Sequence, residues 1–202
     1  MAFGDGHTDP FLVVGLGNPG VQYELTRHNA GFLVIDYLSD IHSISLKEKR
    51  TLPGVLSGQG KIGPKTVFFA KPLSFMNRSG LPTYRLADYF HIPPENMLVI
   101  HDDVDLPFHT LKLKFRGGDG GHKGVRSLLS SFSGADFLRL RMGVGRSEYG
   151  EDTADFVLSR FSKEELDHLE DFLKMSCDAV ETVLLKGQSE AMNQFNRSTG
   201  SA

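Results

Sequence analysis

The segment that most restricts the fold is Phe11–Gly31, FLVVGLGNPGVQYELTRHNAG. The apolar run Phe11 to Val14 reads as a buried strand. It drives into a turn rich in Gly and Pro, which ends regular structure. The next periodic segment, beginning at Gly31 with GFLVIDYL, reads as an amphipathic helix. A strand that ends this way is a rigid mount for the polar side chains that follow it, Asn18, Tyr23, His28 and Asn29. His28 stands out because the ordinary imidazole pKa lies nearest neutrality, which makes it a candidate general base.

The rest of the chain alternates in the same manner. Strand-like runs fall at 11–16, 54–61, 65–70, 97–101, 111–115 and 138–144. Helix-like runs fall at 29–41, 78–90, 122–132, 163–186 and 188–196. This pattern predicts an α/β chain, a single-domain three-layer αβα sandwich with a mixed, mostly parallel central sheet. A chain of 202 residues suits one domain, placed at 10–196, with a flexible N-terminal arm at 1–9 and a flexible tail at 197–202. The 163–186 helix has the clearest local signals. Ser162 and Glu165 have the spacing of a capping box. Leu166, Leu169, Leu173, Val180, Val183 and Leu184 form an apolar stripe, and Gly187 supplies a stop.

A single Cys177 excludes an internal disulfide. With no secretory signal and no apolar run of bilayer length, the expected location is cytoplasmic. The formal net charge of −3 argues against a chain that binds nucleic acid over its whole surface. Yet residues 112–146 carry eight basic side chains against two acidic ones, a local +6 that leaves −9 elsewhere. A basic patch on an acidic body suits a focused contact with phosphates.

GLGNPG also fits the dinucleotide fingerprint G-x-G-x-x-G. That motif needs a helix to start at the turn, whereas Pro19-Gly20-Val21 prolongs the turn and the helix begins near His28. Three further segments carry chemistry. In NMLVIHDDVDLP (96–107) an apolar strand empties into His101, Asp102 and Asp103. A carboxylate there can fix the tautomer of an imidazole and stabilise its cation. An Asx turn is the simpler role for Asp103 or Asp105, and adjacent residues at a strand end diverge too much to favour a metal site. In KPLSFMNRSG (71–80), Asn77 offers an amide that both donates and accepts, and Phe75 and Met76 offer an apolar wall. The simpler reading makes Asn77 or Ser79 a helix cap. In FRGGDGGHKGVRSL (115–128) the glycines allow close backbone approach, and His122 and Lys123 open a helix whose N-terminus favours anions.

Taken together, GLGNPG, Tyr23, RHNAG, SFMN, HDDVDLP, GGHKG and RLRMGVGR resemble the motif set of the bacterial-type peptidyl-tRNA hydrolases, in the family's order. The resemblance runs from about Phe11 to the C-terminal helices. It implies hydrolysis of the ester joining a peptide or N-blocked amino acid to tRNA, which recycles tRNA in translation. It implies His28 as the base that activates water and Asp102 as the group that keeps it basic. Asn18 would distinguish blocked from free aminoacyl groups, and Asn77 would bind the peptide main chain. Tyr23 and Phe75 would contact the tRNA 3′ end, with Met76, His122 and Lys123 in the substrate site. Lys114 and Arg141 would grip the 5′-phosphate of the acceptor stem. No metal, cofactor, membrane or obligate protein partner is implied, and the expected state is a monomer. Lys123 departs from the family's usual Asn after the His of the Gly-rich loop. The alternatives are a non-catalytic RNA-binding member of the same fold and a nucleotide-binding enzyme resting on GLGNPG.

Overall fold

The computed structural model describes residues 9–147, 150 and 152–196. The expected arm and tail lie outside these residues, apart from Asp9. The elements in chain order are β1 (Phe11–Gly15), α1 (Ala30–Ile41), β2 (Lys47–Lys49), β3 (Leu52–Ile62), β4 (Lys65–Pro72), α2 (Gly80–Tyr89), β5 (Met97–Asp103), β6 (Leu111–Lys114), α3 (Lys123–Ser131), β7 (Leu138–Gly143), α4 (Thr153–Leu158), α5 (Lys163–Lys186) and α6 (Gln188–Phe195).

Among the described residues the strands form one seven-stranded sheet in the order β2-β3-β4-β1-β5-β7-β6. Its centre, β4-β1-β5-β7, is parallel, and antiparallel strands close both edges. Alternate residues of the central strands feed two separate cores, as a sheet covered on both faces requires. Val13, Phe69, Leu98, Ile100 and Leu140 pack with α1, α5 and α6. Leu12, Val14, Phe68, Met97 and Val99 pack with α2 and α3. The result is the three-layer sandwich.

Every expected strand and helix forms, with small differences at the ends. β2 and α4 have no counterpart in the sequence reading. All of β2 is exposed, so it shows no apolar alternation, and α4 buries only Val157. The capping box at Ser162 and Glu165 is present, and Gly187 ends α5 at φ 90°. Leu166 does not join the buried stripe: it is 41% exposed, and the buried residues of α5 begin at Leu169.

The parallel centre places the segments after β1, β4 and β5 at one end of the sheet. The helices that follow β1 and β4 pack on opposite faces, which opens a crevice at the carboxyl ends of the strands. α1 is pressed hard into this end. A Cβ on Gly31 would lie 2.4 Å from the carbonyl oxygen of Ile100, so glycine is what lets the start of α1 lie against β1 and β5.

Candidate active site

That close approach delivers His28. It sits in a single 3-10 turn, Arg27–Asn29, immediately before α1. Asp102 lies at the end of β5, 74 residues away in sequence. His28 Nδ1 lies 2.9 and 3.0 Å from the two carboxylate oxygens of Asp102, and both residues are buried. The rings of His28 and His122 stand 4.9 Å apart, and His122 Nε2 lies 2.9 Å from the same Oδ1. Asp102 is thus held between two imidazoles.

The partners fix the tautomers. His122 Nδ1 accepts from the backbone N–H groups of Gly124 and Val125 at 3.1 and 3.2 Å, capping α3. Its proton is therefore on Nε2, and Nε2–H donates to Asp102. The ionised carboxylate can only accept, so His28 donates from Nδ1–H and keeps a lone pair on Nε2. The His28 ring lines a cavity of about 680 Å³. Burial works to raise the Asp102 pKa. The two imidazoles that donate to it, His28 and His122, favour its ionised form strongly enough to outweigh this and hold the carboxyl well below the usual carboxylate range.

This arrangement corrects one expectation. The Gly124 and Val125 N–H groups at the start of α3 are spent on the ring of His122, which leaves fewer donors there for an anion. His122 also gains a role the sequence reading did not assign, as a second hydrogen-bond donor to Asp102. His at the position just before a helix was the available signal.

Asn18 is locked from three sides. Its N–H donates to Asn29 Oδ1 at 2.8 Å, its carbonyl accepts from Asn29 Nδ2 at 3.0 Å, and its Oδ1 accepts from the Met76 N–H at 2.8 Å. With Oδ1 occupied, Nδ2 is left without an acceptor among the described residues, and Asn18 lines the cavity. It therefore presents a fixed donor. Phe75, Met76, Asn77 and Lys123 line the same cavity. Met76 is buried in the core, whereas Phe75 is 58% exposed and Asn77 and Lys123 are exposed. Neither Asn77 nor Ser79 caps α2: Ser79 occupies the cap position, but its hydroxyl donates back to the Met76 carbonyl at 2.9 Å. Tyr23 is half-buried on the Val21–Tyr23 turn and is not among the residues lining the cavity.

His101 is fully inside the fold. Its Nδ1 lies 2.7 Å from the Asp102 backbone carbonyl, its ring stands edge-on to His122 at 4.8 Å, and its Nε2 is buried without a partner among the described residues. Burial, then the neighbouring His122 imidazole, with which a second positive charge would compete, pushes its pKa from 6.5 down to about 3, so it is neutral. Asp103 forms an Asx turn with the Asp105 N–H at 2.9 Å.

Among the described residues one trio has the composition of a metal site, and it is not the adjacent His101, Asp102 and Asp103. Ligand atoms of His28, Asp102 and His122 lie within 4.8 Å of one another. Those atoms already bond to each other. A cation there would need His122 Nε2 without its proton, and the ring would then lose both bonds to α3. The donor set suits holding protons better than holding a metal.

The basic segment folds onto the β6–β7 edge. Lys112 faces Arg141 and Lys114 faces Arg139 across the ladder, so all four share one face, and Lys114 and Arg141 are diagonal neighbours. Their charges are not equivalent. Arg141 is tied to Asp103 at 2.5 Å and Arg146 to Asp105 at 2.5 Å, two carboxylates from outside the 112–146 segment. Arg139 turns inward and donates to the carbonyls of Gly117 and Gly118, holding the Gly-rich loop. Among the described residues Lys112, Lys114 and Lys123 make no ion pair, so they carry the free positive charge of this face. Cys177 is buried in α5 with its pKa raised to about 12, chiefly by burial, and is no nucleophile.

Comparison with known proteins agrees with this geometry. The family model described as peptidyl-tRNA hydrolase matches residues 12–202. The chain is 42% identical to a peptidyl-tRNA hydrolase of Pseudarthrobacter chlorophenolicus, covering 94% of this chain and 96% of that one. It is 44% identical to one of Nocardia farcinica, covering 94% and 97%. The crystal structure of the Acinetobacter baumannii peptidyl-tRNA hydrolase superposes with a TM-score of 0.87 at 34% identity, covering 96% of this chain and 98% of that one. On its sequence, its sheet order and the residues gathered at the strand ends, the chain belongs to the peptidyl-tRNA hydrolase family.

Proposed function

We propose that this chain hydrolyses the ester between a peptide, or an N-blocked amino acid, and the terminal ribose of tRNA, with His28 as general base. The observation that carries the reading is the 2.9 Å contact of His28 Nδ1 with Asp102, which leaves Nε2 as a lone pair in the cavity. His28 Nε2 takes a proton from water as the water oxygen attacks the ester carbonyl. The bond to the ribose oxygen then breaks, and the proton passes from the imidazolium to that oxygen. General-base help of this kind is worth roughly 10²–10⁴-fold. Asp102 stabilises the imidazolium while it exists. Asn18 Nδ2 is placed to donate to the carbonyl oxygen as it becomes an oxyanion, a contribution of about 3–4 kcal/mol when the donor is preorganised.

Phe75, Met76 and Asn77 receive the peptide side of the ester and the tRNA 3′ end, with Tyr23 farther out. Lys114 and Arg141 meet the acceptor-stem phosphate, and Lys123 supplies a positive charge at the mouth of the cavity. The enzyme acts as a monomer in the cytoplasm with no obligate protein partner. The buried lone thiol suits a reducing compartment, and among the described residues no helix is long and apolar enough to cross a membrane. The paired His28 and Asp102 favour catalysis over RNA binding alone. The test is release of N-acetylamino acid from N-acetylaminoacyl-tRNA. The wild type turns over, and His28→Ala loses turnover while keeping most of its tRNA affinity. Near-normal turnover in His28→Ala removes the base from the mechanism.

A further inference from the structure

The residue before the base is buried and charged, and the chemistry above leaves it without a task. Arg27 is 7% exposed. Its Nε and one terminal nitrogen form a fork onto the carboxylate of Glu165 at 3.2 and 2.6 Å. The other terminal nitrogen donates to Ser159 Oγ at 2.5 Å and to the Arg160 carbonyl at 2.8 Å. The guanidinium lies 4.3 Å from the centre of the Phe156 ring. The backbone joins in, with the Arg27 N–H donating to the Ser159 carbonyl at 3.2 Å and Thr26 bridging to Arg160. Every one of these partners lies in α4, in the link after it, or at the start of α5.

α4 needs such an anchor. Six residues are too few for a helix to hold itself in water, and Val157 is its one buried residue. Yet Ala154, Val157 and Leu158 form one wall of the catalytic cavity. His28, bonded through the chain to Arg27, lines the same cavity. A planar fork with a stacked face is the geometry that arginine provides and lysine does not.

We infer that Arg27 is a positioning residue for this reaction. Its guanidinium fastens α4 to the turn that carries His28, so the apolar wall and the base keep one spacing. Ala154, Val157 and Leu158 line the same cavity as Phe75 and Met76, which receive the peptide side in the proposed reaction, so on this assignment the device sets how firmly an apolar side chain next to the ester is held. This rests on the hydrolysis proposed above.

The experiment compares wild type, Arg27→Lys and Glu165→Gln on N-acetylphenylalanyl-tRNA and N-acetylglycyl-tRNA. Gln retains the capping-box function at the start of α5, so the second variant removes the ion pair and spares the helix. Both acyl groups are carried on the same tRNA, so the tRNA contribution cancels between the two substrates. In both variants KM for the phenylalanyl substrate rises about tenfold relative to the glycyl substrate, the size of one weakened apolar contact. The kcat stays within about threefold, because His28 and Asp102 are untouched. Amide exchange over 153–158 speeds up at least tenfold. A purely structural arginine would lower the melting temperature and leave the KM ratio unchanged. An unchanged ratio with unchanged exchange overturns the assignment, and so does failure of both variants to fold. Lack of turnover in the wild type would instead refute the proposed function.

Discussion

Replacing Asp102 by Asn keeps the shape of the site and removes one charge. The imidazolium formed in the transition state loses a counter-charge whose oxygens lie 2.9 and 3.0 Å from Nδ1. Taking about 4 Å between charge centres and an effective dielectric near 20, the lost attraction is about 4 kcal/mol, which corresponds to about 10³-fold in rate. A second effect acts in the same direction. The His122 tautomer is fixed by its bonds to α3, so the amide oxygen must take the Oδ1 position and receive Nε2–H. The amide N–H₂ then occupies the Oδ2 position, 3.0 Å from His28 Nδ1. It competes for a lone pair on Nδ1, and satisfying it moves the His28 proton to Nε2 and silences the base. The assay is single-turnover release from N-acetylaminoacyl-tRNA at saturating enzyme, which reads the chemical step without KM. The melting curve of the variant reports whether it is folded. A loss under tenfold in a folded Asp102→Asn protein would refute the charge argument.

Two further outcomes follow from the same structure. Replacing both Lys114 and Arg141 by Ala removes up to two phosphate contacts, so the slope of log binding against log salt falls by about 1.5; an unchanged slope locates the phosphate contact elsewhere. His101 should make the fold acid-sensitive. Its folded pKa is about 3 against an ordinary 6.5, so between these values the unfolded chain binds the extra proton. Stability is full above pH 6.5 and falls as pH drops toward 3, by about 1.4 kcal/mol per pH unit from this one group. Denaturant titrations of wild type and His101→Gln from pH 7 to 4.5 check this, because the variant lacks the titrating ring. Parallel loss in both proteins contradicts it.

The sheet was legible because its central strands are buried on both faces and so read as apolar runs. The 163–186 helix was legible from its cap and stripe. β2 and α4 were not, since Lys47–Lys49 and most of 153–158 face solvent and carry no apolar periodicity. That HDDVDLP offers a carboxylate to an imidazole was legible in the residues, but three Asp stand there, and the choice of Asp102 as the partner of His28 was implied by the family resemblance. The role of His122 was hidden. Whether a His opening a helix faces a ligand or a carboxylate depends on how α3 lies against β5, and that is a tertiary fact. Arg27 was overlooked for a related reason: its partners lie more than 125 residues away, and α4 was not expected at all. The basic patch was overcounted because Asp103 and Asp105 fold back onto Arg141 and Arg146.

The proposed mechanism depends on the lone pair at His28 Nε2. Ring-nitrogen NMR of the free enzyme, with His28 assigned by its absence in His28→Gln, reads this directly. The predicted result is a neutral ring bearing its proton on Nδ1, with Nε2 unprotonated, and an Nδ1–H signal that gives way to Nε2–H in Asp102→Asn. A neutral His28 protonated on Nε2, or one indifferent to the loss of the Asp102 charge, would contradict it.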